Sequence, residues 1–212
     1  MHFLITAGGT REYIDPVRFI SNASSGKMGY ALARAALKAG HKVTLITAPT
    51  LLRIPSGARA VKVETAGEMF EAVKKHFAKC DCLIMAAAVS DYTPVRRATS
   101  KIKKAGKSLT LKLKATADIL AWAGKHRKVK SKKVKGKSQI VVGFALEDAN
   151  LRERAERKLE EKNLDMIIAN RPAAIGAERS TVLIKRKGTD WVRIENATKL
   201  RLAGRIIDLI VG

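Results

Sequence analysis

The sequence predicts a doubly wound α/β protein, and three observations support that prediction. An apolar strand, Phe3-Leu4-Ile5, runs into a glycine turn and a polar loop before Ser24-Ser25-Gly26 opens an amphipathic helix. Strand-like and helix-like segments alternate along most of the 212 residues. The later strand candidates are apolar throughout rather than at every second position, as parallel strands covered on both faces are.

Taken in order, residues 3–7 read as a strand, 26–39 as a helix ending at Gly40, and 42–48 as a second strand. Pro49 and Pro55 punctuate the loop that follows. A short apolar stretch at 60–63 is a further strand candidate. Thr65, with Glu68 three residues on, has the form of a helix cap and opens a helix over 67–78. Cys82-Leu-Ile-Met-Ala-Ala-Ala88 reads as a buried strand. This βαβαβ order is that of a Rossmann-like, mostly parallel sheet.

The pattern breaks at Asp91-Tyr92-Thr93-Pro94. Residues 93–138 read as an excursion of basic loops, with a short alternating strand at 109–113 and a helix near 117–127. The sheet resumes with Ile140-Val-Val-Gly-Phe-Ala-Leu146, then a helix over 149–162 rich in i,i+4 charge pairs and a strand at 165–169. Strands at 181–185 and 191–194, about a turn at Lys187-Gly188, and a helix over 197–210 complete the chain. One domain over 1–212, with its excursion at about 93–138, is the expected organisation.

Composition narrows the function classes. Hydrophobic residues make up 46% with few aromatics, which suits an aliphatic interior rather than disorder. No apolar run approaches the ~20 residues of a membrane span, and a strand begins too early for a signal peptide, so a cytoplasmic protein with no membrane partner is expected. Cys80 and Cys82 stand too close for a comfortable disulfide and lack a second metal-type pair. The net charge is +23, from 42 Lys and Arg against 19 acids. Eight of those basic residues fall at 125–137 with no acid among them, and such a run is ordinarily a solvated one. The remaining excess fits attraction of a polyanionic ligand such as a nucleoside triphosphate. A nucleic-acid partner is not expected, because no recognition motif accompanies the charge.

The chemistry concentrates at the start. Glycines let a backbone approach a ligand, and a helix N-terminus offers free N–H groups, so Gly8 with Ser24-Ser25-Gly26 reads as a phosphate cradle. The loop between also holds Arg11, Glu12, Asp15, Arg18 and Asn22, more side-chain chemistry than a cradle needs. The spacing matches neither G-x-G-x-x-G nor a P-loop, since Met28 follows Gly26-Lys27. A Rossmann-type NAD(P)-dependent oxidoreductase is therefore the alternative reading. Asp91 follows a buried strand at its C-terminal end, where ligands of open α/β sheets bind. Lys101-Ile-Lys-Lys104 could close over a phosphate chain. No two-histidine spacing suggests a zinc site, and no protein-held metal is expected beyond Mg²⁺ delivered with a triphosphate.

Three groups of motifs in register resemble the phosphopantothenate–cysteine ligase family (phosphopantothenoylcysteine synthetase). They are Ile5-Thr-Ala-Gly-Gly-Thr-Arg-Glu with Asp15-Pro-Val-Arg18 and Ser21-Asn-Ala-Ser-Ser-Gly-Lys-Met-Gly29; Ala86-Ala-Ala-Val-Ser-Asp-Tyr92 with Lys101-Ile-Lys-Lys104; and Val142-Gly-Phe-Ala-Leu-Glu147 with Lys158-Leu-Glu-Glu-Lys-Asn-Leu-Asp165 and Ile168-Ala-Asn170. The resemblance runs from residue 3 to about 170 and implies a ligase of coenzyme A biosynthesis. Such an enzyme activates the carboxylate of 4′-phosphopantothenate with CTP, or ATP, as an acyl-nucleotide (acyl-cytidylate), releases pyrophosphate, and passes the acyl group to the amine of L-cysteine.

The resemblance also implies roles for residues. Lys101 would serve as a flap lysine for acyl-nucleotide formation and Asn22 would act in the second step. Arg18 would anchor the substrate phosphate with Asn22 and Ala87. Gly8, Ser24, Ser25, Gly26, Met85, Ala86, Ala87, Asp91, Ala117, Asp118, Ile119, Leu120, Phe144, Lys158 and Lys162 would contact the nucleotide. It implies a homodimer, a stand-alone form without flavin, and a possible separate flavin-dependent decarboxylase as partner. Two departures stand out: Thr116-Ala117-Asp118-Ile119 where the family often has Asn-Pro or Thr-Pro before Asp-Ile, and Gly9 where proline is common.

Overall fold

The computed structural model describes residues 1–129 and 138–212. Most of the lysine run (130–137) lies outside the described residues. The elements in chain order are β1 (His2–Ala7), β2 (Arg11–Tyr13), β3 (Phe19–Ser21), α1 (Lys27–Lys38), β4 (Lys42–Thr47), β5 (Arg59–Lys62), α2 (Ala66–Phe77), β6 (Cys82–Met85), β7 (Tyr92–Pro94) and β8 (Leu113–Ala115). There follow α3 (Ile119–His126), β9 (Ile140–Leu146), α4 (Leu151–Glu161), β10 (Met166–Asn170), a 3₁₀ turn at Pro172–Ala174, β11 (Arg179–Arg186), β12 (Val192–Thr198) and α5 (Lys199–Val211).

Eight strands form one sheet in the order β12-β11-β10-β9-β6-β1-β4-β5. The six from β5 to β10 pair in parallel, and β11 and β12 extend the sheet antiparallel. The sheet is doubly wound. Phe3, Ile5, Val43, Leu45, Ile84, Val142 and Ile168 pack against α1 and α5 on one face. Leu4, Ile46, Leu83, Val141 and Ile167 pack against α2, α3 and α4 on the other. Alternate residues of each strand thus enter different layers, and both layers are apolar, which is why the strands read as continuous hydrophobic runs. The chain leaves β1 outward through β4 and β5, then crosses back to β6 on β1's other side. That reversal opens a crevice at the C-terminal ends of β1 and β6.

Helix α1 lies unusually close to β1. A Cβ on Gly29 would stand 2.6 Å from the Ala7 Cβ and 2.9 Å from the Thr6 carbonyl oxygen, so only glycine lets the helix N-terminus reach the strand end. Helix α2 is capped as its sequence predicts: Thr65 Oγ1 accepts from the Glu68 N–H (3.1 Å) and the Glu68 carboxylate accepts from the Glu64 N–H (2.7 Å). Cys80 and Cys82 are free and buried, and burial pushes the Cys80 thiol up to about 12.

Three sequence expectations need correction. The strand expected over 82–88 ends at Met85, because Ala86–Ala88 turn away from the ladder: the Ala87 N–H donates to Thr6 Oγ1 (3.1 Å) and Ala88 bridges to Gly9. The strand expected at 109–113 falls instead at Leu113–Ala115, paired with Tyr92–Pro94. The connection from β1 to α1 is not a plain loop but contains the β2–β3 hairpin. The helix expected near 117–127 forms as α3, and its Ile119, Leu120 and Ala123 are buried in the sheet's second layer. The base of the lysine run is closed by Lys128 and Gln139, which exchange hydrogen bonds (2.8 and 2.9 Å) just before β9. That places it at the strand N-termini, the end of the sheet away from the crevice.

Candidate active site

A cleft of about 730 Å³ opens where the strand order reverses. Its first wall is the start of α1. Gly26 takes φ 74° as the N-cap and supplies no side-chain cap, and a Cβ there would meet the Gly8 nitrogen at 3.4 Å. A left-handed residue pressed against backbone is a place for glycine. Ser24 Oγ accepts from the Gly26 N–H (3.3 Å) and Ser25 Oγ from the Lys27 N–H (3.4 Å), which folds the serines around the helix entry. Thr50 Oγ1 donates to the Ser25 carbonyl (3.1 Å) and ties this turn to the loop after β4. The helix dipole thus points its positive end into the cleft.

The floor is the segment after β6. The Ala88 N–H donates to the Gly8 carbonyl (2.9 Å), and the Ala88 carbonyl accepts from the Thr10 N–H (3.1 Å). The same carbonyl accepts from Asn22 Nδ2 (3.2 Å), so the Asn22 amide is held beside Ala87. Thr116 joins the opposite wall to this floor, its N–H on the Asp91 carbonyl (2.9 Å) and its Oγ1 on the Ser90 carbonyl (2.6 Å).

That wall is α3's N-terminus facing α4. Asp118 caps α3 by accepting from the Ala121 N–H (2.9 Å) and pairs with Lys162 Nζ at 2.7 Å. Its carboxyl sits below the ordinary range: the Lys162 and Ala121 donors outweigh the upward push of burial. Lys158, one turn back on α4, donates to the Phe144 carbonyl (2.8 Å). Burial first, and Lys162 second, lower the Lys158 ammonium below 10.5. Two lysines one turn apart thus aim into the same space, one of them largely desolvated.

Most of the expected site residues converge. Asn22, Ser24, Ser25, Gly26, Met85, Ala86, Ala87, Asp91, Ala117, Asp118, Ile119, Leu120, Phe144, Lys158 and Lys162 all line the cleft. Gly8 backs it from beneath Gly26. Arg18 and Lys101 do not line it. Arg18 is engaged with Asp15 and with the Ile102 carbonyl, and Lys101 is exposed on the neighbouring loop. Four further charged or amide residues line the cleft without having been singled out for a role: Lys27, Glu147, Asn170 and Lys199. Glu147 pairs with Arg154 at 3.0 Å. Lys27 pairs with Glu178 at 2.5 Å across the mouth, and the half-buried Lys199 donates to Ser180 Oγ (3.1 Å) and the Ala174 carbonyl (3.2 Å). Glu147 and Asn170 had a readable signal, since each stands at the C-terminal end of a parallel strand. Among the described residues no group of three or more His, Cys, Asp or Glu could hold a metal, and no helix is long and apolar enough to cross a membrane.

The model of the DNA/pantothenate metabolism flavoprotein C-terminal domain family matches residues 1–212. A protein of Bacillus subtilis (strain 168), Coenzyme A biosynthesis bifunctional protein CoaBC, is 47% identical over 216 residues, covering 100% of this chain and 51% of its own length. The chain spans about half the length of the curated relatives it matches. Among solved structures, the C-terminal domain of a Coenzyme A biosynthesis bifunctional protein CoaBC superposes with a TM-score of 0.81 at 38% identity, over 99% of this chain and 93% of that one. A DNA/pantothenate metabolism flavoprotein from Streptococcus pneumoniae superposes with a TM-score of 0.84 at 25% identity, over 99% and 98%.

Proposed function

The chain belongs to the DNA/pantothenate metabolism flavoprotein C-terminal domain family, and from that premise we propose that it joins 4′-phosphopantothenate to L-cysteine through an acyl-nucleotide. The observation that supports this best is the convergence, in one cleft at the strand reversal, of a phosphate-sized cradle, the Asn22 amide and the Lys158–Lys162 pair. The long connection from Gly8 to Gly26, with its own hairpin, also sets the cleft apart from the tight pyrophosphate turn of an NAD(P)-dependent oxidoreductase.

In this reading the triphosphate lies along the α1 N-terminus, its charge met by helix N–H groups and by the two α4 lysines. Mg²⁺ enters as part of the nucleotide substrate. Phe144 and the 117–120 turn border the base, and CTP is the favoured nucleotide. The substrate carboxylate attacks the α-phosphorus and pyrophosphate leaves. Lys101 contributes positive charge as the α-phosphate gains negative charge. The cysteine amine then attacks the acyl carbon, and the Asn22 amide, already beside Ala87, donates to the oxyanion before the nucleotide monophosphate departs.

Lys101 and Arg18 stand outside the cleft, so the reading assigns them to a flap that completes the site when substrates bind. The β2–β3 hairpin exposes Val17 and Phe19 and the excursion exposes Val95, Leu109 and Leu113, apolar side chains fitted to contact a second copy in a homodimer. Rapid-quench analysis of two variants tests the division of labour. Lys101→Gln should block acyl-nucleotide formation and Asn22→Asp should let it accumulate; equal loss of the first step in both contradicts the assignment.

A further inference from the structure

The turn that carries Arg18 and the segment that carries Lys101 meet at one buried carboxylate. The Asp15 side chain has no exposed surface, and its two oxygens take five N–H donors. Oδ1 accepts from the backbone N–H of Val17 (2.8 Å) and of Arg18 (2.8 Å), closing the turn between β2 and β3. Oδ2 accepts from Arg18 Nε (3.0 Å) and Nη2 (2.5 Å), and from the backbone N–H of Ile102 (3.1 Å), 87 residues along the chain. Arg18 Nη2 also donates to the Ile102 carbonyl (2.8 Å). Ile102 is therefore gripped at both backbone polar groups, and the residue before it is Lys101.

Two further ties run alongside. The Ala98 N–H donates to the Ile14 carbonyl (2.9 Å), and the Arg97 guanidinium lies 4.7 Å over the Tyr13 ring. The Arg18 guanidinium, helped by the Val17, Arg18 and Ile102 N–H groups, holds the Asp15 carboxyl well below the usual carboxylate range against the opposing effect of burial. A buried carboxylate with every oxygen satisfied is a rigid joint, because leaving any of its donors unpaired is costly.

We propose that Asp15 is a positioning residue that makes Arg18 and the Lys101–Lys104 segment a single unit. Two consequences follow from the geometry. Arg18 spends Nε and Nη2 on Asp15 and Ile102, which leaves Nη1 as the edge that meets a phosphate oxygen. Lys101 cannot swing without drawing Arg18 with it, so substrate-phosphate anchoring and flap placement are coupled. The joint itself is independent of what the protein catalyses; the coupling of the two roles rests on the ligase reading.

Hydrogen exchange on the full chain, with and without Asp15→Asn, tests the joint. The Asn Nδ2 would face the Ile102 N–H donor to donor, so the Ile102 amide should exchange about tenfold or more faster in the variant, with β1 and α1 unchanged. An Ile102 amide protected equally in both overturns the proposal. Should Asp15→Asn fail to fold, Ile102→Pro removes the donated N–H, and the Ala98 amide, tied to the Ile14 carbonyl (2.9 Å), should lose protection in its place; unchanged exchange there overturns it too. Kinetics give the second arm. Asp15→Asn should raise the KM for 4′-phosphopantothenate and slow acyl-nucleotide formation together, whereas Lys101→Gln should block formation while 4′-phosphopantothenate still binds. Loss of protection with KM and rate both unaltered overturns the coupling. Loss of protection in a chain whose unaltered form has no ligase activity leaves the joint standing and overturns the ligase reading, and the coupled roles with it.

Discussion

At the scale of single residues, the cleft is governed by how few of its charges are free. Lys162 is held by Asp118 and Lys158 by a carbonyl, so a triphosphate must compete with partners already in place. Lys158 is the more consequential of the two because it is largely desolvated, and a charge in such a setting interacts more strongly with a phosphate. Lys158→Ala should weaken CTP binding by about tenfold or more, read by titration calorimetry, while the melting temperature moves little. The same lysine sets a pH dependence. Its ammonium is lowered below 10.5, and only the charged form attracts phosphate, so nucleotide affinity should begin to fall at a lower pH than an ordinary lysine would give. Affinity measured from pH 7 upward checks this: the fall should disappear in Lys158→Ala.

The family resemblance singled out Asn22, Phe144 and Lys158, and the end of a buried strand singled out Asp91; all four line the cleft. Asp15 was visible as a residue but not as a joint. Its partner Ile102 lies 87 residues away, and no local pattern encodes a hydrogen bond from a loop N–H. Arg18 carried an expectation of phosphate anchoring from the family resemblance, while its bidentate grip on Asp15 was not legible.

At the scale of elements, the strand reversal at β1 and the close approach of α1 make the site. Gly29 is the contact point, and any side chain there collides with β1 backbone. Gly29→Val should cost about 3 kcal/mol in stability by chemical denaturation and lower nucleotide affinity as the α1 N-terminus is pushed off the cleft. The long elements were readable from periodicity and caps: β9 matches its expected bounds, and α2 begins at the cap that Thr65 and Glu68 announce. The three-residue strands β2, β3, β7 and β8 were harder. A period of two repeats barely once in three residues, so β2 and β3 left no pattern and the β7–β8 pairing was misplaced toward 109–113. Likewise Ala86–Ala88 look like strand by composition and leave the ladder because their N–H groups bond to Thr6 and Gly8.

At the scale of the whole molecule, charge and exposed apolar surface point in different directions. The excess of positive charge favours keeping copies apart at low salt, while the apolar side chains on the hairpin and the excursion would bring two together. A homodimer should therefore form more readily as salt screens that repulsion, and Val95→Glu should return it to monomer in sedimentation velocity. The base of the lysine run, at Lys128 and Gln139, sits at the opposite end of the strands from the cleft. Sequence alone could count those lysines, and only the topology says which end of the sheet they leave from.

The central claim is the reaction, and pyrophosphate release is its most direct readout. The protein is incubated with 4′-phosphopantothenate and either CTP or ATP, with and without L-cysteine, and products are weighed by mass spectrometry. Release should require 4′-phosphopantothenate, be greater with CTP, and yield a product heavier by one cysteine residue when cysteine is present. No release with either nucleotide, or release indifferent to 4′-phosphopantothenate, would contradict the claim.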